Sequence, residues 1–549
     1  QSQPGFYVPI NLYLPTGRKG PLLAVLCPEG HAPKGKAHDV NDNYQARFIT
    51  LAKKGYIVLA FDPLGQGERG VYGAATGNHH YIQGYQCMPS GRHLASYFLW
   101  DCIRCLDYLE SRPEVDRNRI ACSGCSGGGA ITTYLAAIED RLALAAPTSY
   151  VAESIRLTDD TGLHVESWFP DVCGPYGPGS VQLLTYFAPR PLLILGNQQD
   201  GEFPPASMEA VFREVQKMYE AIGMANRIEY ANVPTPHGYW PEARREFYRF
   251  LNRHFDLASV GAEEPPVKTE KEEELWCAPG GQVSNLPGAQ TVYSLNRALM
   301  AELRAARIER RKTLSAEDYR RFIREAVQRV VHYQPTEGPL GAGRMARRED
   351  GAGVVIKMAL EYEPAFWTEA DLYEPKHSVE GAIVLAADDN PAGREKAAAW
   401  AAQGIRVLHL HTQRADDRVE IMAGRPRAGV WAKMLVRGAD FLQRQADPPS
   451  NRVVGVGLGW TAALAVQMAA LVEPRRFAGA AALGGLDRLE SLSEQIDEFH
   501  SIQMLPGALR WFDEEDLLAA LAPCPVLVAG ATNKKGSPLS ASALAERYG

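Results

Sequence analysis

The stretch Arg119-Ile-Ala-Cys-Ser-Gly-Cys-Ser-Gly-Gly-Gly-Ala-Ile131 runs from an apolar segment through clustered glycines into an apolar helical pattern. Ser126 lies at the centre of Gly124-Cys-Ser-Gly-Gly128, which matches the G-x-S-x-G motif of a nucleophile elbow. Glycines suit this turn because larger side chains would collide in a tight strand-to-helix connection. The helix that follows would point its positive end at a developing oxyanion. A plain Gly/Ser loop is the alternative, but the apolar flanks favour the elbow and predict Ser126 as a nucleophile.

The sequence around this motif alternates between short apolar runs and longer amphipathic runs. Near-continuous apolar strands between helices indicate a mostly parallel sheet covered on both faces, which is an α/β architecture. We predict strands at 6–14, 22–26, 57–61, 120–122, 142–146 and 192–195. We predict helices at 44–54, 92–111, 131–138, 207–221 and 241–255.

A break in composition follows at 258–290, where Glu, Lys, Pro and Gly predominate. Residues 294–331 look helical and highly charged, as expected of a segment that bridges two domains. A second α/β pattern then begins near Gly353, with predicted strands at 354–360, 382–386, 405–410, 453–456, 478–482 and 526–529. We therefore predict a catalytic α/β domain at 1–257, a charged linker with bridging helices at 258–345, and a second α/β domain at 346–549.

The second domain reads as a degenerate copy of the first. Its corresponding elbow is Gly455-Val-Gly-Leu-Gly459, followed by a predicted helix at 461–471, and glycine stands where the serine should be. The segment after its last strand, Ala531-Thr-Asn-Lys-Lys-Gly536, offers no carboxylate, and no late histidine follows. A dinucleotide-binding loop is the weaker alternative because the full G-x-G-x-x-G pattern is missing. This domain is expected to be catalytically silent.

A serine nucleophile needs a base to remove its proton and a carboxylate to orient that base. In elbow-containing folds these partners follow in the order serine, acid, histidine. Asp200 follows a late apolar strand and is the predicted acid, with Glu202 as the alternative. His237 lies among turn residues before the last helix of the domain and is the predicted base.

Two further groups of residues are expected near this serine. The oxyanion hole requires two backbone donors, which we assign to Gly127 and to Gly30 or His31 in the loop after the strand at 22–26. Aromatic side chains in loops near the expected mouth of the site can either stack on sugar rings or simply pack the loops. The substrate-binding candidates among them are Tyr81, Tyr85, Trp168 and Trp240, and other aromatic residues nearby are Tyr72, His79, Phe169 and Tyr176.

Composition places the chain among ordinary globular proteins. A chain of 549 residues is longer than one hydrophobic core usually accommodates, so two domains are expected. The hydrophobic share is 46%, the charged share 22% and the formal net charge −7, which gives no reason to expect nucleic acid or an anionic membrane as partner. No apolar run approaches the length of a membrane span, so no membrane insertion is expected. The start at Gln1 suggests a processed or trimmed N-terminus.

Two pairs of cysteines and one pair of histidines have spacings that occur in metal sites. Cys102-x-x-Cys105 and Cys122-x-x-Cys125 match a zinc-ribbon spacing, but they fall on a predicted amphipathic helix and a predicted strand. Buried thiols that behave as small hydrophobes explain these positions better. The pair His79-His80 has no evident third ligand and is more consistent with a turn. We expect neither a metal nor another cofactor.

Several stretches together resemble the acetyl xylan esterase-related branch of the α/β-hydrolases. They are Glu29-Gly-His31, Asp62-Pro-Leu-Gly-Gln-Gly-Glu-Arg69, the segment 111–120, Gly124-Cys-Ser-Gly-Gly-Gly129 and Ala188-Pro-Arg-Pro191. The resemblance implies cofactor-free hydrolysis of carboxylic esters, often of acetyl groups on plant polysaccharides, by bacterial proteins that are secreted or periplasmic. It also matches Ser126, Asp200 and His237 to the triad positions of the family.

Three functions are compared on this basis. A serine esterase that acts on small or carbohydrate-linked esters fits best, because the second half reads α/β and not as the β-propeller common in serine peptidases of this fold. One alternative is a serine peptidase of the same fold. The other is a carbohydrate-binding or scaffold protein that has lost activity. The second domain is a candidate for binding or for homo-oligomer formation.

Overall fold

The computed structural model of the chain describes residues 1–41, 43–70, 79–153, 179–255, 260–335, 341–350, 353–377, 379–412, 420–421, 423–493, 505–533 and 535–548. Two compact units form: the first comprises Gln1–Gly84 and His93–Leu295, the second Tyr85–Arg92 and Asn296–Gly549. In the described ranges, no helix combines the length and apolar character needed to span a bilayer.

The first unit is built on a seven-stranded sheet. Its order is β1-β3-β2-β4-β5-β6-β7, in which β1 pairs antiparallel with β3 and all other neighbours are parallel. Strands β3 and β5 are buried throughout because apolar side chains meet helices on both faces. The strands are β1 (Ile10–Tyr13), β2 (Leu22–Cys27), β3 (Ile57–Phe61), β4 (Val115–Cys125), β5 (Leu144–Thr148), β6 (Leu192–Gln199) and β7 (Ile228–Pro236).

Helices connect these strands. They are α1 (Tyr44–Lys53), α2 (His79–Cys87), α3 (Leu94–Ser111), α4 (Gly127–Ile138), α5 (Ser180–Thr185), α6 (Pro205–Ala221) and α7 (Pro241–His254). His79 and His80 open a helix and do not form the expected turn. Cys102, Cys105, Cys122 and Cys125 are buried free thiols, as predicted, and burial raises the pKa of Cys122 to about 12.

The charged segment after α7 is anchored to the first unit. Glu264 forms an ion pair with the buried Arg244 at 2.6 Å, and the amide of Glu270 donates to Gln45 Oε1 at 2.9 Å. Further along, the amide of Cys277 donates to Glu68 Oε2 at 2.7 Å. The predicted linker is therefore divided: its start packs with the first unit, while its bridging helices lie mostly in the second.

The second unit contains an eight-stranded sheet in the order β15-β14-β13-β11-β12-β10-β9-β8. Strands β8, β9, β10 and β12 pair antiparallel in that succession, and the remaining neighbours are parallel. The strands are β8 (Ala342–Asp350), β9 (Gly353–Glu363), β10 (Phe366–Pro375), β11 (Gly381–Ala387), β12 (Ile405–Leu410), β13 (Val453–Leu458), β14 (Gly479–Leu483) and β15 (Val526–Ala529). The helices are α8 (Val292–Thr313), α9 (Ala316–Val330), α10 (Asn390–Ala401), α11 (Arg427–Arg444), α12 (Trp460–Val472), α13 (Glu514–Leu521) and α14 (Ala541–Tyr548).

The two sheets repeat one arrangement. Strands β10, β12, β11, β13, β14 and β15 follow the same order and directions as β1, β3, β2, β4, β5 and β6. The predicted fold class of two mostly parallel sheets flanked by helices is confirmed. Strands β7, β8 and β10 were not predicted.

Candidate active site

Ser126 occupies the sharp turn between a buried strand and a helix. Strand β4 ends at Cys125 and helix α4 begins at Gly127, so the serine alone connects them. Its backbone has φ 57° and ψ −122°, a strained conformation for a residue with a side chain. Two backbone hydrogen bonds hold Ser126 there. Its amide donates to the carbonyl of Thr148 at 3.0 Å, and its carbonyl accepts from the amide of Ala130 at 2.9 Å.

The glycines around Ser126 allow close backbone contacts. A Cβ atom at Gly124 would lie 2.2 Å from the carbonyl oxygen of Pro28, and one at Gly128 would lie 2.3 Å from the same oxygen. At Gly129 it would lie 2.4 Å from the carbonyl oxygen of Thr148. Each position therefore requires glycine, because a side chain would push the turn away from its neighbouring strands.

Asp200 and His237 come together beyond the ends of neighbouring strands. Asp200 follows β6, and His237 follows β7 and precedes α7. His237 Nδ1 lies 2.9 Å from Asp200 Oδ2, and the carboxylate is fully buried whereas a quarter of the imidazole side chain is exposed. Burial alone would raise the pKa of Asp200, but the hydrogen bond and charge of His237 hold the pKa below its ordinary value.

The second carboxylate oxygen of Asp200 is also held. It accepts hydrogen bonds from the amides of Glu202 and Phe203, both at 2.9 Å. The Phe203 ring stacks on the His237 ring, with centroids 5.8 Å apart and planes 27° apart. The carboxylate and the imidazole are therefore fixed relative to each other, and the exposed part of the imidazole faces away from the protein core.

Asn197 connects the loops that carry the acid and the histidine. Its Nδ2 donates to the carbonyl of Gly238 at 2.8 Å and to Ser149 Oγ at 2.7 Å. Its Oδ1 accepts from Thr235 Oγ1 at 2.9 Å. Since Gly238 follows His237 directly, this buried amide positions the histidine loop. Sequence reasoning missed Asn197, although it stands only three residues before Asp200.

The loop after β2 approaches the serine turn closely. A Cβ atom at Gly30 would lie 2.7 Å from the carbonyl oxygen of Cys125 and 3.3 Å from Cβ of Ser126. His31 is the next residue in the loop and is half-buried. Gly127 forms the first turn of α4 immediately after the serine. The structure thus places Gly30 and Gly127 beside Ser126, and His31 follows Gly30 in the same loop.

A buried network joins this loop to the histidine loop. Glu29 forms an ion pair with Arg47 at 2.5 Å, and both side chains are 1% exposed, so neither charge is shared with solvent. The Arg47 guanidinium lies 4.6 Å from the ring centroid of Tyr239. Tyr239, two residues after His237, hydrogen-bonds Ser123 Oγ at 2.6 Å. The positions of the two loops are thereby coupled.

Asp62 supports the same loop and accounts for one glycine of the motif Asp62–Arg69, Gly67, and for Gly35 in the loop itself. Its carboxylate accepts from the amide of Lys36 at 2.7 Å and from the Lys36 ammonium at 3.0 Å. It also accepts from the amide of Glu68 at 3.0 Å. Cβ atoms at Gly35 and Gly67 would fall 2.2 Å and 2.5 Å from the carboxylate atoms. The motif is therefore a scaffold for the loop that carries Gly30.

Alanine at Gly30 is expected to lower kcat for ester hydrolysis by about 10²-fold, because its Cβ would displace the loop or the serine turn. Initial rates with an aryl acetate and a thermal unfolding curve would be measured together. Gly381→Ala is the matched control, since nothing lies within 4 Å of a Cβ there. Unchanged rates in Gly30→Ala would show that this loop does not contribute to the site.

Of the other predicted site residues, the structure places two beside His237. Glu202 Oε2 lies 3.7 Å from His237 Nε2, on the side of the ring away from Asp200, and Trp240 Nε1 donates to the carbonyl of His237 at 3.3 Å. Tyr85 belongs to the second unit and is half-buried. The side chain of Tyr81 and the whole of Tyr72, Trp168, Phe169 and Tyr176 lie outside the described residues.

The corresponding turn in the second unit carries a glycine instead of a serine. Gly459 connects β13 to α12. Its amide donates to the carbonyl of Leu483, and its carbonyl accepts from the amide of Ala463. The backbone of Ser126 makes the same two hydrogen bonds in the first unit. The equivalent of Ser126 is therefore Gly459, and the predicted alignment on Gly457 is wrong by two residues.

A carboxylate lies at this second turn. Asp388 accepts hydrogen bonds from the amides of Thr461 at 3.0 Å and Ala462 at 2.8 Å, at the start of α12. A Cβ atom at Gly459 would lie 2.6 Å from Cγ of Asp388, and its φ is +101°. A serine therefore cannot replace Gly459 without displacing this carboxylate.

Comparisons with known proteins agree with the motifs of the first unit. Residues 14–159 match the family model for acetyl xylan esterase (AXE1). YtaP of Bacillus subtilis (strain 168), described as a hydrolase, is 25% identical over 255 residues, which cover 45% of this chain and 83% of that protein.

Two solved structures are also similar. Methylesterase BT1017 has 24% identity and a TM-score of 0.44, covering 55% of this chain and 65% of that one. A family 15 carbohydrate esterase, a glucuronoyl esterase from Caldicellulosiruptor kristjansonii, has 19% identity and a TM-score of 0.35, covering 48% of this chain and 76% of that one. The match at 14–159 lies within the first unit, whose elbow and sheet order are those of an α/β-hydrolase, so this unit is similar to acetyl xylan esterases.

Proposed function

We propose that the first unit hydrolyses acetyl esters linked to carbohydrates through Ser126, His237 and Asp200. The observation that carries this proposal is the 2.9 Å contact between His237 and the buried Asp200, on the sheet whose β4 ends at the strained Ser126 turn. Strands β4, β6 and β7 run parallel, so their carboxyl ends lie at one edge of the sheet.

The first step is acylation. His237 Nε2 takes the proton of Ser126 Oγ, and the oxygen attacks the ester carbonyl carbon. Asp200 stays ionised and accepts a hydrogen bond from the Nδ1–H group of His237, which fixes the tautomer and stabilises the imidazolium. The tetrahedral oxyanion accepts hydrogen bonds from Gly127 and from the Gly30–His31 loop. The imidazolium then gives its proton to the leaving alcohol, and the acyl group stays on the serine.

The second step is deacylation. Water enters, His237 Nε2 takes one of its protons, and the resulting hydroxide attacks the acyl carbonyl. Collapse of this second oxyanion releases the carboxylic acid and returns the proton to Ser126. Every proton moves between the substrate, water and these side chains, so no cofactor is needed.

The substrate class rests on the match of residues 14–159 to the acetyl xylan esterase family model. Trp240, hydrogen-bonded to the histidine loop, offers a half-buried aromatic surface on which a sugar ring can stack. Secretion and oligomer formation stay predictions.

A substrate panel tests this assignment. Initial rates would be measured with acetylated xylo-oligosaccharides, an aryl acetate, methyl glucuronoyl and feruloyl esters, and a peptide anilide. We expect the highest kcat/KM for the acetylated substrates. A higher kcat/KM for the anilide would instead identify a peptidase, and a preference for the glucuronoyl ester would replace the acetyl assignment.

The second unit is proposed to be catalytically silent. Gly459 supplies no hydroxyl, and the Asp388 carboxylate already binds the amides of Thr461 and Ala462 at the start of α12, next to the position where an oxyanion would form. The carboxylate would repel a developing negative charge at that point.

A further inference from the structure

Three potential metal ligands meet on one face of the second sheet. Strands β10 and β12 pair antiparallel, and Asp371 lies directly opposite His409 in their register. Side chains two residues apart on a strand share a face, so His411, just beyond β12, joins them. One ligand atom from each of Asp371, His409 and His411 lies within 4.8 Å of the other two.

Both nitrogens of His411 are directed by carboxylates. Its Nε2 lies 2.9 Å from Asp371 Oδ2, and its Nδ1 lies 3.5 Å from Glu369 Oε2. Glu369 is itself fixed by Lys357, whose ammonium is 2.9 Å from the same oxygen. A carboxylate on the far nitrogen of a histidine is the usual way to orient an imidazole that binds a metal through its other nitrogen.

His409 supplies an independent observation. It is fully buried, and neither of its ring nitrogens has a hydrogen-bond partner among the described residues. A Cβ atom at Gly393 of α10 would lie 2.4 Å from its Nε2, so glycine there leaves room for the ring. Buried polar nitrogens without partners are costly and uncommon in folded proteins. A bound cation would satisfy one of these two nitrogens.

We propose that Asp371, His409 and His411 bind one divalent transition-metal ion. Two imidazoles and one carboxylate suit zinc, iron, cobalt or nickel better than magnesium or calcium, which prefer oxygen ligands alone. Ligand atoms around such an ion stand roughly 3.4 Å apart for bonds of about 2.1 Å, so small side-chain rotations suffice. His411 is 18% exposed, which leaves a route for the ion and a coordination position for water.

The test uses the full chain without an affinity tag, stripped with a chelator and titrated with Co²⁺. Visible absorption and calorimetry would report binding, and Zn²⁺ would compete. We expect one ion per chain and a rise in the temperature of unfolding when Zn²⁺ is added. If no saturable binding is detected up to millimolar Co²⁺, the proposal is overturned.

Variants locate the site. His411→Ala and the isosteric Asp371→Asn are each expected to weaken Co²⁺ binding at least tenfold, by the loss of one ligand. His377→Ala, which removes an exposed histidine of the same unit, is the control and is expected to bind as the unaltered chain does. Ester hydrolysis and circular dichroism would verify that each variant is folded. If the two ligand variants bind Co²⁺ normally, the three residues form only a structural hydrogen-bonded cluster and the proposal fails.

Discussion

Replacing Ser126 with alanine is expected to lower kcat/KM for a small aryl acetate by about 10³-fold or more. The change removes one oxygen atom, and that oxygen is the proposed nucleophile. The backbone hydrogen bonds to Thr148 and Ala130 do not involve the side chain, so the turn is expected to persist. The residual rate would come from the oxyanion hole and substrate binding alone.

The control for this variant is Ser111→Ala, an exposed serine at the end of α3. It is expected to hydrolyse the aryl acetate as fast as the unaltered chain. A fluorophosphonate probe gives a second measurement, because the proposal expects a covalent adduct at Ser126 identified by peptide mass. Undiminished turnover in Ser126→Ala would contradict the mechanism. If an active protein is not labelled at Ser126, a different residue is the nucleophile.

Asp200→Asn is expected to lower kcat by about 10³- to 10⁴-fold. The amide can donate to His237 Nδ1, which would favour the tautomer that has its proton on Nε2 and cannot accept from serine. The imidazolium would also lose its counter-charge. Since the pKa of Asp200 is held below its ordinary value, its carboxylate is ionised throughout the neutral range and this difference persists there.

Glu202→Gln is the matched comparison, because the sequence left Glu202 as the alternative acid. Its carboxylate lies 3.7 Å from Nε2 and is nearly half exposed, so solvent weakens its effect on the ring. We expect a change in kcat of less than about tenfold. Steady-state rates of both variants from pH 5 to 9 would decide the matter: a larger loss in Glu202→Gln would assign the acid to Glu202.

The serine turn was the easiest part of the site to predict, since strand, glycines and serine are contiguous in sequence. Asp200 and His237 followed from chain order. Asn197, Arg47 and Tyr239 could not be predicted, because buried polar side chains act through partners that are distant in sequence. Their roles depend on which strands are neighbours.

The fold was predictable where strands are apolar and buried. Strand β7 was missed because it lies at the sheet edge and contains two prolines and several polar residues, which an edge position tolerates. Strands β8 and β10 were missed because charged residues interrupt their apolar pattern. The error at the second elbow has another cause: glycine at every second position from Gly455 to Gly459 permits two alignments.

The metal-binding proposal shows the same limit. The spacing His409-x-His411 is the only trace of that cluster in the sequence. Asp371 comes from β10, one of the strands that was not predicted, so the third ligand became visible only in the register of the sheet.

Asp388 has a consequence for the stability of the second unit. Its carboxylate provides, from within the chain, a permanent negative charge at the start of α12. An anion at the start of a helix stabilises the folded state. The second unit therefore keeps a stabilising charge at the turn where the first unit is proposed to bind a transient one.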